Sequence, residues 1–246
     1  MSIGRQFSEL RAKGQKALAV LLDPDKLGEQ EDLSHILQLA NSCKVDFLFI
    51  GGSLMVEDHL NRVLRQIRSE SSLPLILFPG SVNQLSSEVD AVLFLSLISG
   101  RNADLLIGQH VIAAPQIKAL GIEPISTGYM LVDCGTPTTA SYISGTLPIP
   151  YNKPEIAAAT AMAGEMLGLS CFYLDGGSGA ARPVSANMIS AVRKSVKGPL
   201  IVGGGIQTHE QAQTAWNAGA DILVVGTAFE KDPERLFDIS GAKAAR

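Results

Sequence analysis

Three glycine clusters in the last third of the chain are placed to turn backbone N–H groups toward a ligand. Each follows a short apolar run, and they are Asp175-Gly176-Gly177-Ser178-Gly179, Gly203-Gly204-Gly205 and Gly226-Thr227. Glycine lets the backbone approach a ligand closely, and a helix that starts after such a loop adds free N–H groups and a positive dipole end. The clusters predict a site that binds phosphate through backbone amides and the Thr227 hydroxyl. The alternative is that these glycines only form tight turns.

Two acidic residues follow the first apolar run, and a hydroxyl follows the second. Asp23 and Asp25 come directly after residues 17–22, and Ser53 comes directly after Gly51-Gly52. A carboxylate and a hydroxyl, completed by diphosphate oxygens and water, suit Mg²⁺, because this ion prefers oxygen ligands. We therefore predict Mg²⁺ at Asp23 and Ser53, with Asp25 or Lys26 in support. The alternative is that one of the two aspartates caps the next helix.

Tyr173 and Asp175 form a third candidate group, at the end of the sixth apolar run. Side chains alternate along a strand, so these two residues point the same way and can both face a substrate site. Asp175 would then accept a proton or bind a substrate hydroxyl. Its alternative role is to cap the helix that follows the strand.

These residues require a scaffold that brings the ends of several strands together. Short apolar runs alternate with amphipathic stretches through the 246 residues, and their order gives eight βα units. Because parallel crossovers are right-handed, the strands are expected to close into a (β/α)8 TIM barrel with its active site at their carboxyl ends. Residues 1–246 form a single domain in this interpretation. An open, doubly wound sheet is the alternative.

Several stretches are expected to depart from a regular barrel. Residues 79–90 are too short and polar for a full outer helix, so one helix is predicted to be replaced by irregular chain. Residues 6–13 predict an extra helix over the barrel bottom. Pro115 should end or kink the helix of residues 102–120, and the turn-rich residues 134–153 should be functional or mobile. Candidates for an apolar groove on the barrel top are residues 47–50, 94–100 and 129–131.

Composition and charge argue against several classes of protein. The formal net charge is −4 and no dense basic stripe is present, which argues against a nucleic-acid partner. The three cysteines are dispersed, the N-terminal segment is not apolar, and no apolar run approaches the roughly 20 residues of a membrane span. We therefore expect a cytoplasmic protein with reduced thiols.

Seven short motifs together resemble the geranylgeranylglyceryl phosphate synthases and their bacterial heptaprenylglyceryl relatives. The motifs are LDPDK at 22–26, FIGGS at 49–53, PGS at 79–81, STGY at 126–129, YLDGGSGA at 173–180, VGGGI at 202–206 and VVGTA at 224–228. They extend over nearly the whole chain. The glycine motifs alone would fit many phosphate-binding barrels, whereas the complete set in this order is specific.

The resemblance implies a modified TIM barrel, Mg²⁺ at Asp23 and Ser53, and a prenyl transfer reaction. The C3 hydroxyl of sn-glycerol 1-phosphate would attack C1 of a polyprenyl diphosphate, with Asp175 and Asp23 as catalytic residues. The implied glycerol phosphate site consists of Tyr173, Leu174, Asp175, Gly176, Gly177, Ser178, Gly179, Gly204, Gly205, Gly226 and Thr227. A homo-oligomer, and transient contact with a membrane surface during product release, are further expectations.

Two positions depart from the family pattern. Asp175 stands where the family usually has glutamate, so the carboxylate is one methylene shorter. Leu21 stands where some relatives have lysine, which points to the larger archaeal-type branch. The resemblance therefore favours geranylgeranyl diphosphate as the prenyl donor.

Two other functions are compatible with a phosphate-binding barrel. A phosphosugar isomerase or related synthase would use Asp23 and Asp175 as an acid–base pair at opposite strand ends. A non-catalytic sensor or scaffold would bind a phosphate ligand without turnover.

Overall fold

Eight parallel strands close into a barrel in a computed structural model that describes residues 2–27, 30–52, 60–226, 232 and 234–244. Each strand pairs with the next along the chain, and β8 pairs with β1 through Ala17 and Ile222. The TIM barrel is confirmed, and the open, doubly wound alternative is wrong. The strands are β1 Ala17–Leu22, β2 Phe47–Ile50, β3 Leu75–Leu77, β4 Ala91–Leu97, β5 Glu123–Leu131, β6 Cys171–Asp175, β7 Leu200–Gly203 and β8 Ile222–Val225.

Helices surround the barrel and begin or end at residues suited to those positions. Thr208 and Gln211 form a capping box at the start of α8, and Gly121 takes a left-handed conformation where α4 ends. The described helices are α1 Ile3–Ala12, α2 Gln30–Ser42, α3 Leu60–Glu70, α4 Gln109–Leu120, α5 Thr139–Ser144, α6 Pro154–Met166, α7 Ala186–Ser195, α8 His209–Ala218 and α9 Arg235–Ala244. A π-helical turn, Asp104–Gly108, leads into α4.

The core has two layers because strand side chains alternate between the barrel interior and the surrounding helices. Phe49 and Tyr173 belong to the interior cluster. Leu48 and Leu174 belong to the cluster that packs between the strands and the helices. Which of two neighbouring residues can reach a site inside the barrel mouth therefore depends on this alternation.

One outer helix is missing between β3 and β4, as predicted. The connection contains a single 3₁₀ turn, Val82–Gln84, and is otherwise irregular. The missing helix leaves space beside β4, on the outer side of the barrel near its carboxyl end.

Two segments are more regular than their sequences suggest. Pro115 does not end the helix that contains it, because α4 continues past it to Leu120. The proline is on the exposed side of the helix, so the carbonyl of Val111, which loses its hydrogen-bond donor, can be solvated. Residues 134–153 are also more regular than expected, because they contain α5 and a parallel bridge between Val132 and Ile149.

An N-terminal helix covers the bottom of the barrel, which confirms the prediction for residues 6–13. The carboxylate of Glu123, at the start of β5, accepts hydrogen bonds from the backbone N–H groups of Ile3 and Gly4 at 2.7 and 2.9 Å. Phe7 packs edge-on against Phe47 with 5.1 Å between ring centroids. Among the described residues, no helix combines the length and apolar character needed to cross a membrane.

Candidate active site

A polar cavity of about 440 Å³ opens at the carboxyl ends of the strands. It extends across the barrel mouth from β1 and β2 to the loops after β6, β7 and β8. Nine of the residues predicted for the site line it: Asp23, Tyr173, Asp175, Gly177, Ser178, Gly179, Gly204, Gly205 and Gly226. Lys26 and Arg235 add positive charge to the same wall.

The glycine loops meet at contacts that no larger residue would allow. Gly204 has a φ of +83°, and a Cβ there would lie 2.6 Å from the backbone N of Gly177. Gly205 has a φ of +74°, and its Cβ would lie 2.5 Å from the carbonyl oxygen of Arg182. Because side chains are absent, the loops after β6 and β7 lie side by side and present backbone groups to the cavity.

Two predicted site residues that the structure describes do not line the cavity, and two others are not described. The side chain of Leu174 points outward, between the barrel and the helices, because it alternates with Tyr173 and Asp175. Gly176 lies behind the cavity wall, where a Cβ would be 2.9 Å from the sulfur of Cys134. Ser53 and Thr227 lie outside the described residues.

Asp175 is buried at the base of the cavity with both carboxylate oxygens in hydrogen bonds. Oδ1 accepts from the backbone N–H of Gly177 at 2.7 Å, and Oδ2 accepts from the Tyr129 hydroxyl at 2.6 Å. Burial raises the pKa of Asp175, while these two hydrogen bonds act in the opposite direction. Asp175 does not cap the next helix, since Ser185 does so through its side chain.

Tyr129 was predicted only as a groove residue, and its hydrogen bond to Asp175 was not foreseen. It lies directly opposite Tyr173 in the register between β5 and β6. Burial, followed by the nearby charge of Asp175, raises the pKa of Tyr129 well above its usual value. Its hydroxyl is therefore a hydrogen-bond donor at neutral pH. The STGY motif drew attention to this tyrosine, but only strand register shows that it meets Asp175.

Asp23 provides a carboxylate at the end of β1, next to the glycines that end β2. A Cβ on Gly52 would lie 2.9 Å from Oδ1 of Asp23, so glycine leaves room for the carboxylate there. Oδ1 also accepts a hydrogen bond from the backbone N–H of Asp25 at 3.3 Å, and Lys26 Nζ lies 3.4 Å from Oδ2. The start of α2 is not described, so the capping alternative for the aspartates is not tested.

The surroundings of Asp23 fit a magnesium ion that shares its ligands with a substrate. The described residues contain no group of three or more His, Cys, Asp or Glu side chains arranged to hold a metal. Mg²⁺ bound with substrate phosphates commonly needs only one or two carboxylates. The half-buried carboxylate of Asp23, in a cavity lined by glycine loops, meets that requirement.

A second, mostly apolar cavity of about 180 Å³ lies beside the polar one. It occupies the space left by the missing helix, between residues 79–85, β4 and α4. Burial lowers the pKa of His110 in its wall, which favours an uncharged groove. Of the described residues, four line both cavities: Gly52, Phe78, Tyr129 and Ala140.

The predicted groove residues are only partly those observed. Phe94, Leu95 and Leu97 line the apolar cavity, as do Tyr129 and Leu131. Residues 47–50 do not, because their side chains fill the barrel interior or pack under the helices. Residues 79–82 and Leu85, in the segment that replaces the missing helix, also line the groove but were not predicted to do so. The short, polar segment that predicted the loss of the helix also marks their position.

The chain is similar to known proteins over almost its whole length. Residues 11–243 match the PcrB family. Geranylgeranylglyceryl phosphate synthase from Spirosoma linguale is 58% identical over 236 residues, which cover 96% of this chain and 93% of the relative. The protein of the same name from Chitinophaga pinensis is 49% identical over 240 residues, which cover 98% and 95%.

A solved structure has the same architecture. It is the crystal structure of (S)-3-O-geranylgeranylglyceryl phosphate synthase from Thermoplasma acidophilum in complex with its substrate sn-glycerol-1-phosphate. The two structures superpose with a TM-score of 0.92 at 30% sequence identity, over 98% of each chain. By sequence and by fold, the chain belongs to the PcrB family.

Proposed function

We propose that this chain transfers a geranylgeranyl group from its diphosphate to the C3 hydroxyl of sn-glycerol 1-phosphate. The products are a prenyl ether of glycerol phosphate and free diphosphate. The observation that carries the proposal is the junction of two unlike cavities, one polar and glycine-lined, the other apolar. The names of the relatives, and the glycerol phosphate bound by the Thermoplasma acidophilum enzyme, support the identity of both substrates.

The polar cavity supplies the glycerol phosphate site of this proposal. Backbone groups of the loops after β6, β7 and β8 would bind the phosphate, in the position where TIM barrels commonly bind this group. Lys26 and Arg235 add charge attraction at the rim. The glycerol part would then extend toward Tyr173 and Asp175 at the base of the cavity.

Asp175 is the proposed acceptor for the proton of the attacking hydroxyl. Each carboxylate oxygen has a second lone pair beyond the one used by Gly177 N–H or the Tyr129 hydroxyl. Burial raises the pKa of Asp175 toward the range in which a carboxylate is an effective base. The shorter side chain of aspartate is held in place by Tyr129, which fixes its orientation.

Mg²⁺ is the proposed cofactor, with Asp23 and Ser53 as its protein ligands. Bound there, Mg²⁺ would neutralise negative charge on the leaving diphosphate. Asp23 would hold the ion at the end of β1, and Lys26 beside it would stabilise the same phosphates.

The apolar cavity supplies the prenyl site. Its walls are formed mainly by aliphatic and aromatic side chains of β4, α4 and α5. Transfer of a polyprenyl chain from water into such a groove is favourable by about 25 cal/mol per Å² of buried apolar surface. A phosphosugar isomerase or a phosphate sensor has no use for this groove, so neither alternative is favoured.

We further propose a cytoplasmic homo-oligomer that contacts a membrane surface when it releases its lipid product. Large apolar side chains are exposed on the outer faces of α4, α5 and α6, among them Val111, Tyr142 and Met166. Exposed apolar patches of this kind are typical of interfaces between proteins or with lipid. Light scattering coupled to size exclusion measures the assembly, and vesicle co-sedimentation measures the membrane contact.

The experiment is a reconstitution with labelled sn-glycerol 1-phosphate, geranylgeranyl diphosphate and Mg²⁺. We expect an organic-extractable prenyl ether phosphate and one equivalent of diphosphate. Asp23→Asn should abolish most turnover while the circular dichroism spectrum stays unchanged. Chelation of Mg²⁺ should do the same, and added Mg²⁺ should restore activity. Absence of extractable product, or turnover of a phosphosugar without diphosphate release, would refute the proposal.

A further inference from the structure

Three aromatic rings, two from strands and one from the residue just after a third strand, meet at the wall between the two cavities. Phe78, just after β3, stacks on Tyr173 with 5.2 Å between centroids and 22° between planes. Tyr129 stands edge-on to both, at 5.7 Å from Phe78 and 5.5 Å from Tyr173. Phe78 and Tyr129 line both cavities, whereas Tyr173 lines only the polar one.

If the chain has the proposed function, C1 of the prenyl donor, the carbon that reacts, must lie at this wall. The diphosphate of the prenyl donor belongs in the polar cavity and its hydrocarbon chain belongs in the apolar one. C1 joins the two parts and therefore lies at the boundary. Among the described residues that line both cavities, Phe78 and Tyr129 carry aromatic rings, while Gly52 and Ala140 have little or no side chain.

The ring of Phe78 is held firmly but is still accessible. Its backbone N–H donates to the carbonyl of Ile50 at 2.8 Å. A Cβ on Gly51 would lie 1.9 Å from the carbonyl oxygen of Phe78, so this close approach requires glycine. The stacked Tyr173 fixes one face of the ring, and the side chain as a whole remains only half-buried.

We propose that Phe78 is a catalytic residue whose ring stabilises positive charge on the allylic carbons of the prenyl donor. When the bond between C1 and the diphosphate oxygen breaks, both electrons leave with the diphosphate, and C1 and C3 of the prenyl group share a positive charge. An oxygen lone pair of the glycerol hydroxyl then forms the new bond to C1. The hydroxyl proton passes to the carboxylate of Asp175.

Cation–π attraction is the physical basis of this role. The face of an aromatic ring attracts a cation, most strongly where water is excluded, because the ring carries a quadrupole with a negative face. The attraction develops only as the C–O bond breaks, so it lowers the barrier without tightening substrate binding. A ring that merely shaped the cavity would affect binding of the prenyl chain instead.

The test replaces Phe78 with phenylalanines that carry one, two or three ring fluorines. Fluorine withdraws electron density from the ring face while its shape changes little. We expect kcat to fall stepwise, to about one tenth with three fluorines, while KM for geranylgeranyl diphosphate changes less than twofold. In Phe78→Leu, which has no ring, kcat should fall by a factor similar to that of the trifluorinated variant. Phe78→Tyr keeps a ring face and should retain most of the kcat of the unsubstituted enzyme.

Phe7 is the matched control because its ring also has an edge-on aromatic neighbour, Phe47, and lies at the opposite end of the barrel. Fluorination of Phe7 should leave kcat unchanged. A flat kcat series at position 78 in an active enzyme would overturn the role of Phe78 and leave the proposed function intact. Absence of prenyl ether product from the unsubstituted enzyme would overturn both.

Discussion

Asp175 combines burial with a charge, and this combination has opposite consequences for stability and for catalysis. Only 7% of its surface is exposed, and burial raises its pKa. The folded protein therefore carries a cost whenever this carboxylate is ionised. The raised pKa also makes Asp175 a stronger proton acceptor. A substitution at Asp175 should therefore change stability and catalysis in opposite directions.

Asp175→Asn is expected to stabilise the fold and to abolish catalysis. The amide can still accept from Gly177 N–H and can donate to the oxygen of Tyr129, but it cannot take a proton. We expect turnover to fall at least about 100-fold. The melting temperature should exceed that of the unsubstituted protein at pH 8, because the raised pKa means that ionisation disfavours the folded state.

This gain in stability should disappear in acid, as the pH falls from above the raised pKa of Asp175 to below the ordinary value for aspartate. Scanning calorimetry across this range measures it. Glu155→Gln is the control, since Glu155 is an exposed carboxylate away from the cavity and should change neither quantity. A lower melting temperature for Asp175→Asn at pH 8 would contradict the prediction.

Tyr129→Phe should move the acidic limb of the pH–rate profile to higher pH. The Tyr129 hydroxyl donates to Asp175 and works against the effect of burial on its pKa. Removal of the hydroxyl therefore raises the pKa of Asp175 further, so that the carboxylate ionises only at higher pH. The measurement is kcat/KM against pH for both proteins. An unchanged limb would mean that Asp175 is not the group whose ionisation controls the rate.

At the scale of elements, the site depends on how closely the loops after neighbouring strands approach each other. β6 and β7 pair up to Asp175 and Gly203, and the glycine loops then continue the contact beyond the sheet. The helix missing after β3 has a comparable effect on the other side, where it leaves room for an apolar groove. The polar and apolar halves of the site therefore come from two different irregularities in the βα repeat.

Gly204→Ala should disrupt the phosphate site while the barrel remains folded. Its φ of +83° disfavours alanine, and the added Cβ would lie 2.6 Å from the backbone N of Gly177. The loops after β6 and β7 must then separate. We expect the Kd for sn-glycerol 1-phosphate, measured by titration calorimetry, to rise at least about tenfold.

Gly168→Ala is the control that distinguishes the effect of contact between the loops from the effect of backbone strain alone. Gly168 has a similar φ of +94°, but no atom of the described residues lies within 4 Å of the position of a Cβ there. This control should lose some stability and retain its affinity. Equal affinity in the two variants would show that close contact between the loops does not shape the site.

At the scale of the whole molecule, a buried ion pair lies at the end of the barrel opposite the site. Asp221, just before β8, accepts from Arg193 Nη1 and from the backbone N–H of Leu200, both at 2.9 Å. It thereby ties β7, β8 and α7 together where the barrel closes. Within the part of the chain that the structure describes, the buried atoms Arg193 Nε and Asp221 Oδ1 have no hydrogen-bond partner, so the pair is retained at some energetic cost.

Asp221→Asn should weaken the fold strongly without altering catalysis. The change leaves the guanidinium of Arg193 buried without its counter-charge, which we expect to lower the free energy of unfolding by about 3 kcal/mol. Urea denaturation measures this loss, and kcat per folded molecule should stay the same. Glu9→Gln, in an exposed ion pair with Arg5, should leave the denaturation midpoint unchanged. A small shift for Asp221→Asn would mean that the buried pair contributes little.

Sequence patterns alone predict the barrel, the position of the missing helix and the end of the barrel that carries the site. These properties follow from local patterns: apolar alternation, the lengths of the segments between strands, and glycines directly after strands. Asp23, Asp175 and most of the glycines were recognisable for the same reason. The conformation that each of them needs is set by its immediate neighbours in the chain.

The folded structure was needed to show that Tyr129 meets Asp175, that Leu174 faces away from the cavity, and that Phe78 stands between the polar and apolar halves of the site. Tyr129 and Asp175 are 46 positions apart. Their contact depends on strand register and on the closure of the barrel, which are set by packing of the whole core. Local sequence patterns carry no information about that packing, because they specify which residues form a strand but not which residues of other strands lie beside them.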